Sequence, residues 1–118
     1  MSVSTHVLDA VLGGPARGMD IRLERVGGTE VGGTEVGGTE VGRGTTDADG
    51  RCRELTEGIQ LDAGTYRLSF ETGAYFARTD TPTFYPVVDL TFEVTDPSAH
   101  YHVPLLLSPF AYSTYRGS

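Results

Sequence analysis

The sequence contains a single cysteine, Cys52, among its 118 residues. One cysteine cannot form an intramolecular disulfide, and it cannot supply the ligands of a cysteine-based zinc site. The fold is therefore expected to be stabilised by the packing of side chains and not by a disulfide or a cysteine-bound zinc ion. A chain of this length, with 38% hydrophobic residues, is enough for one ordinary domain and short for two. We expect a single domain over residues 1–118.

Positive charge is also scarce. Nine Lys and Arg residues stand against sixteen Asp and Glu residues, which gives a formal net charge of -7, and no segment is rich in Lys or Arg. Phosphate binding depends on clustered positive charge. Nucleic acid is therefore not an expected partner.

Long apolar runs are missing as well. The first residues, "MSVSTHVLDAVLGG", lack the basic start and the long apolar run of a secretory signal. Nowhere does the chain approach the roughly 18 consecutive apolar residues of a membrane span. A cytoplasmic protein with no membrane partner is expected.

Strand patterns, in contrast, are frequent. The segments "DIRLERV", "TYRLSFE" and "VVDLTFEV" each alternate apolar and polar residues, which is typical of half-buried antiparallel strands. Turn signals separate them, among them "DADG" at 47–50, "DAG" at 62–64 and Asp96-Pro97. The pattern predicts a β-sandwich with one short helix over Thr72–Arg78. The "DADG" segment lacks the further acidic ligands of a calcium loop, so a turn is favoured there.

A five-residue unit, VGGTE, is repeated three times from Val26 onward. An odd period sends successive valines to opposite faces of any strand, and two glycines per unit raise the entropy cost of ordering it. We interpret the tract as an expanded hairpin loop at about 26–40. A role in spacing subunits is the alternative.

The segment "HYHVPLLLSP" places two histidines ahead of an apolar run. In an extended strand, Tyr101, Val103, Leu105 and Leu107 form the better core face, and His100, His102, Pro104 and Leu106 lie on the other. The proline and leucine on that second face suggest partial cover from outside the domain, as at a subunit interface. Spacing alone also allows two surface histidines, or a His-x-His metal site with further ligands.

Four other residues are candidates that spacing alone leaves weak: His6, Arg51, Tyr115 and Ser118. The residues before His6 could form a local turn, and Arg51 could be a solvated hairpin residue. A polar C-terminus is usually frayed.

Taken together, several motifs carry a resemblance. "STHVLDAVLGGPARGM", "GTTDADGRC", "TFYPVVDLTFEV" and "HYHVPLLLSPFAYSTYRGS" closely resemble the 5-hydroxyisourate hydrolases, the transthyretin-related enzymes of purine catabolism. Hormone-carrying transthyretins share the "LLSP" strand but lack the histidines and the closing "YRGS". The VGGTE tract departs from the family, which has a shorter connection there.

The resemblance implies an all-β fold, a transthyretin-like eight-stranded antiparallel β-sandwich with one short helix. It implies a homotetramer, a dimer of dimers, with active sites in a central channel. The substrate would be 5-hydroxyisourate, hydrolysed to 2-oxo-4-hydroxy-4-carboxy-5-ureidoimidazoline in urate degradation without a metal or cofactor. A transthyretin-like carrier without turnover is the main alternative, and a structural β-sandwich module is a second one.

Matched residue by residue, the family's catalytic set falls on His6, Arg51, His102, Tyr115 and Ser118. Histidine can transfer protons near neutral pH, and a charged arginine can stabilise negative charge on the attacked carbonyl. Tyr115 and Ser118 would position substrate or water. His100 matches no catalytic position.

Overall fold

The computed structural model describes residues 2–27, 38–53 and 55–117. These residues form nine strands and one helix: β1 (Ser2–Asp9), β2 (Gly14–Pro15), β3 (Asp20–Arg25), β4 (Thr39–Thr45), β5 (Arg51–Cys52), β6 (Gly64–Phe70), α1 (Thr72–Ala77), β7 (Val88–Val94), β8 (His100–Ser108) and β9 (Ala111–Thr114). Among the described residues, no helix is long and apolar enough to cross a membrane.

The strands make two sheets. In the first, the order is β2-β1-β8-β9, with β5 also paired to β1, and in the second it is β4-β3-β6-β7. The predicted all-β sandwich with one short helix is confirmed. Nine strands are described where the resemblance implied eight, and two of the nine, β2 and β5, are two-residue segments that pair with β1.

One strand pair is parallel. β1 and β8 run side by side from Ser2 opposite His100 to Asp9 opposite Leu107. The other pairings of the described strands are antiparallel. The parallel pair brings the beginning of the chain against a strand near its end.

The core lies between the two sheets and follows the predicted alternation. Tyr66, Leu68 and Phe70 of β6 are buried. The predicted inward residues of β8 are buried too: Tyr101, Val103, Leu105 and Leu107. Because side chains alternate along a strand, the histidines of β8 are left on the outer face of the first sheet.

The predicted hairpin loop at about 26–40 lies mostly outside the described residues. Arg25 pairs with Thr39 at the point where β3 and β4 approach each other, and Thr39 and Glu40 belong to β4. The role of the repeat stays a prediction.

Helix α1 closes one edge of the core through a buried hydrogen bond. The Tyr75 hydroxyl donates to Oδ2 of the buried Asp9 at 2.7 Å. Oδ1 of the same carboxylate accepts the backbone N–H groups of Val11 and Leu12 at 2.8 and 3.3 Å. Burial and the Asp9 hydrogen bond raise the pKa of Tyr75 to about 12. Asp9 therefore links the helix to the turn that follows β1.

Replacing Tyr75 by phenylalanine is expected to lower the free energy of unfolding by about 1–3 kcal/mol, because a buried carboxylate oxygen loses its donor. The folded pKa of about 12 lies above the ordinary value of 10.0. The stabilisation is therefore complete below pH 10 and is lost as the pH rises from about 10 towards 12. The difference between wild type and Tyr75→Phe should narrow over that range in urea unfolding at fixed protein concentration.

Tyr85→Phe is the matched control for this measurement. Tyr85 is a partly buried tyrosine that packs edge-on against Tyr112, at a ring-centroid distance of 5.0 Å. Among the described residues, it is not one of the donors to the Asp9 carboxylate. Removing the Tyr85 hydroxyl should leave the free energy of unfolding nearly unchanged. An equal loss of stability in both variants would show that the Asp9 contact is not the cause.

Candidate active site

The outer face of the first sheet carries the polar residues of β1 and β8. In the parallel register, Ser4 lies opposite His102 and His6 lies opposite Pro104. Ser4, His6 and His102 are partly exposed, whereas their neighbours along each strand are buried. His6 and His102 are therefore diagonal neighbours on one face. A local turn before His6 is excluded, because β1 runs unbroken through it.

Arg51 reaches the same face through β5, where it pairs with His6. The "DADG" segment forms the predicted turn just before it: Oδ1 of Asp47 accepts the N–H groups of Asp49 and Arg51 at 2.9 and 3.0 Å. Gly50 has φ 77°, and a Cβ there would collide with the Val7 carbonyl oxygen. Glycine is therefore required for the turn that places Arg51 beside His6.

The Arg51 guanidinium is available for a ligand. Within residues 2–27, 38–53 and 55–117, Arg51 forms no ion pair with a carboxylate, whereas four other arginines do: Arg22, Arg43, Arg53 and Arg67. A guanidinium stays charged at neutral pH and offers several N–H donors. It can therefore bind a carbonyl oxygen on which negative charge develops.

The same turn fixes the tautomer of the His6 ring. Its Nε2 lies 2.8 Å from the backbone carbonyl oxygen of Asp49. Because a carbonyl oxygen only accepts, Nε2 carries a proton, and the neutral ring leaves Nδ1 as an acceptor. His6 can therefore accept a proton at Nδ1.

His102 is partly buried, and its Nδ1 lies 2.8 Å from the Ser4 hydroxyl oxygen. Burial, and then the positive charge of Arg51, holds its pKa below the ordinary value. His100 and His6 act in the same direction, and a hydrogen bond to the Ser4 backbone opposes them. The ring is therefore neutral at pH 7 and able to accept a proton.

The residues after β9 lie against His102. The Gly117 N–H donates to the His102 carbonyl oxygen at 2.8 Å, and a Cβ at Gly117 would collide with the His102 ring. Tyr115, whose side chain is 61% exposed, lines a groove of about 420 Å³ together with His102. The structure thus places Tyr115 in a groove with His102. Ser118 lies outside the described residues.

His100 lies on the same face but further along β8. Its Nδ1 contacts the Ser2 hydroxyl, and its Nε2 lies 2.9 Å from the Ser4 hydroxyl oxygen. Together with Arg51 it lines a second groove, of about 470 Å³. A His-x-His metal site would need more ligands, and the described part of the chain has no group of three suitable side chains.

The two apolar residues that β8 places on this face differ in their exposure. Pro104 is already buried within a single chain, so it gives no reason to expect an outside cover. Leu106 is 39% exposed and lies opposite Leu8 of β1. The expectation of external cover therefore depends on Leu106 alone.

Ser4 is a site residue that sequence reasoning missed. Its hydroxyl lies within hydrogen-bond distance of both His100 and His102. The available signal was the alternation of small polar residues with Val3 before His6. That signal shows the face but cannot show a partner 98 residues away in the sequence.

Comparison with known proteins matches this chain to one family. The model of the HIUase/Transthyretin family matches residues 3–117. A 5-hydroxyisourate hydrolase of Mus musculus is 41% identical over 116 residues, covering 98% of this chain and 94% of the relative. Another from Rhizobium meliloti is 43% identical over 121 residues, covering 98% and 95%.

Solved structures give the same result. The 5-hydroxyisourate hydrolase of Klebsiella pneumoniae has a TM-score of 0.83 and 35% identity, with both chains fully covered. Sea bream transthyretin in complex with thyroxine has a TM-score of 0.83 and 33% identity, covering 99% of this chain and 95% of that one. The predicted transthyretin-like fold is confirmed.

Proposed function

Because the chain belongs to the HIUase/Transthyretin family, we propose that it is a 5-hydroxyisourate hydrolase acting in urate degradation. The curated relatives described above carry that enzyme's name at 41% and 43% identity. The observation that carries the proposal is the common face of His6, Arg51 and His102, built from β1, β5 and β8. A hormone carrier performs no hydrolysis and would need none of these three groups.

The chemistry we propose is hydrolysis of a cyclic ureide. Water attacks a ring carbonyl carbon while a histidine takes its proton, and Arg51 stabilises the negative charge that develops on the carbonyl oxygen. The ring C–N bond then breaks, and the leaving nitrogen takes the proton back from the histidine. We assign these transfers to His6 and His102 jointly. The product is 2-oxo-4-hydroxy-4-carboxy-5-ureidoimidazoline.

Tyr115 and Ser118 complete the proposed set as positioning groups for substrate or water. The contact of Gly117 with the His102 ring supports this assignment for the C-terminal segment. Tyr115 lines the same groove as His102. We retain Ser118 from the family motif.

We further propose a homotetrameric working form. Arg51 and His102 line separate grooves that are open at the surface of a single chain. Apolar side chains are exposed at the end of the first sheet where the Ala10 N–H, just after β1, donates to the Leu107 carbonyl of β8 at 2.8 Å. Val11 and Leu12 project from the turn after β1, and Phe110 projects from the turn between β8 and β9. A second subunit would cover them and exclude water from the site.

The test of the function is the ultraviolet absorbance of freshly prepared 5-hydroxyisourate. The protein should accelerate its decay well beyond the spontaneous rate, whereas a carrier would bind without turnover. No acceleration at high protein concentration would exclude the proposed function.

A further inference from the structure

We propose that Ser4 is a positioning residue, which holds the His102 ring with Nδ1 protonated and Nε2 free to take a proton; this inference rests on the proposed hydrolase function. The Ser4 hydroxyl oxygen lies 2.8 Å from Nδ1 of His102 and 2.9 Å from Nε2 of His100. The parallel register places Ser4 directly opposite His102. Ser4 therefore lies between the two rings.

The direction of these hydrogen bonds follows from proton counting. A serine hydroxyl has one proton, so it can donate to only one of the two rings and must accept from the other. In the proposed reaction His102 accepts a proton, and Nε2 is the ring nitrogen that the Ser4 hydroxyl does not contact. A neutral ring that accepts a proton at Nε2 carries its own proton at Nδ1. Nδ1 of His102 therefore donates to the Ser4 hydroxyl.

The chain of hydrogen bonds continues away from the site in the same direction. Ser4 then donates to Nε2 of His100, and Nδ1 of His100 donates to the Ser2 hydroxyl. Both nitrogens of His100 are thereby occupied. In the described part of the chain, no hydrogen bond is made by Nε2 of His102. The free acceptor of the pair is thus on His102, which explains why only one of two neighbouring histidines serves as a base.

Ser4→Ala is expected to lower kcat/KM by at least about tenfold, because the ring can then adopt the tautomer without an acceptor at Nε2. The variant should also move the acidic limb of the pH profile to lower pH. A hydroxyl that accepts from His102 favours the protonated ring, so its loss lowers the pKa. The charged and titratable groups around His102 remain in place: His6, Arg51, His100, Tyr115, Arg116, Asp89 and Glu93.

Ser98→Ala is the matched control. It removes the same atom from an exposed turn, where the hydroxyl donates to Asp96 at 2.7 Å. It should keep the wild-type rate and pH profile. Nitrogen-15 chemical shifts of the His102 ring, recorded above its pKa, give a readout independent of activity. They should show Nδ1–H in the wild type and a shift toward Nε2–H in Ser4→Ala.

An unchanged His102 tautomer in Ser4→Ala would overturn the proposal, whatever happens to the rate. A shifted tautomer with wild-type kcat/KM would overturn it as well, because positioning would then have no effect on turnover. If the wild type itself fails to turn over 5-hydroxyisourate while the tautomer shifts as expected, the proposed function is wrong and the hydrogen-bond assignment stands.

Discussion

His102→Ala and Arg51→Ala are expected to lose most of the turnover of 5-hydroxyisourate, whereas His100→Ala is expected to keep most of it. General acid-base groups typically contribute about 10²–10⁴-fold in rate. The two histidine variants should therefore differ by at least about tenfold in kcat. The structure gives a reason for the contrast, because His100 lies on the far side of Ser4 and its two ring nitrogens contact serine hydroxyls.

Arg53→Ala is a matched control for Arg51→Ala. It removes the same charge two residues along the chain, from a side chain that is exposed and 3.9 Å from Asp47. It should retain turnover. Circular dichroism should show that all four variants are folded. Equal losses of turnover in folded His100→Ala and His102→Ala would contradict the assignment of proton transfer to His102.

Leu106→Arg is expected to split the proposed tetramer and remove most of the activity. Leu106 lies on the face that carries His102 and is open to solvent in a single chain. Across a symmetry axis the new arginines would meet as like charges, and the separated subunits would leave the site open to water. Interactions of Arg51 are strongly damped at high dielectric. Light scattering and the 5-hydroxyisourate assay measure the two effects.

Thr39→Arg controls for the added charge. Thr39 is exposed on β4, at the edge of the other sheet. The variant should remain tetrameric and active. If Leu106→Arg is monomeric or dimeric yet turns over substrate at the wild-type rate, the site does not depend on assembly across this face.

The strands that alternate cleanly were predictable from the sequence. β3, β6, β7 and β8 place apolar side chains at every second position, and those side chains are buried except for Phe92 of β7, which is partly buried. Strand β1 could not be recognised in the same way, because Thr5 is a polar residue at a core position and Leu8 an apolar one on the outer face. Thr5 is buried because its hydroxyl donates to the Val103 carbonyl at 2.6 Å.

For the site, spacing placed His102 on the outer face but left a surface role and a metal site open. The family resemblance selected His6, Arg51, His102 and Tyr115. The fold brings the first three to one face, and Tyr115 lines a groove with His102. The shared hydroxyl of Ser4 could not be predicted, because it depends on a strand register between distant segments. The role of Ser118 and the single-domain organisation stay predictions.

The parallel pairing of β1 with β8 also governs the order in which the protein can fold. Ser4 and His102 are 98 residues apart, so the face that carries His6 and His102 cannot form until β8 is available. Among the described strands, β1 can until then pair only with the two-residue segments β2 and β5, and its buried Val3 and Val7 lack their neighbours on β8. Such long-range contacts slow folding, and an unpaired apolar strand promotes aggregation. Refolding yield should therefore rise as the protein concentration is lowered.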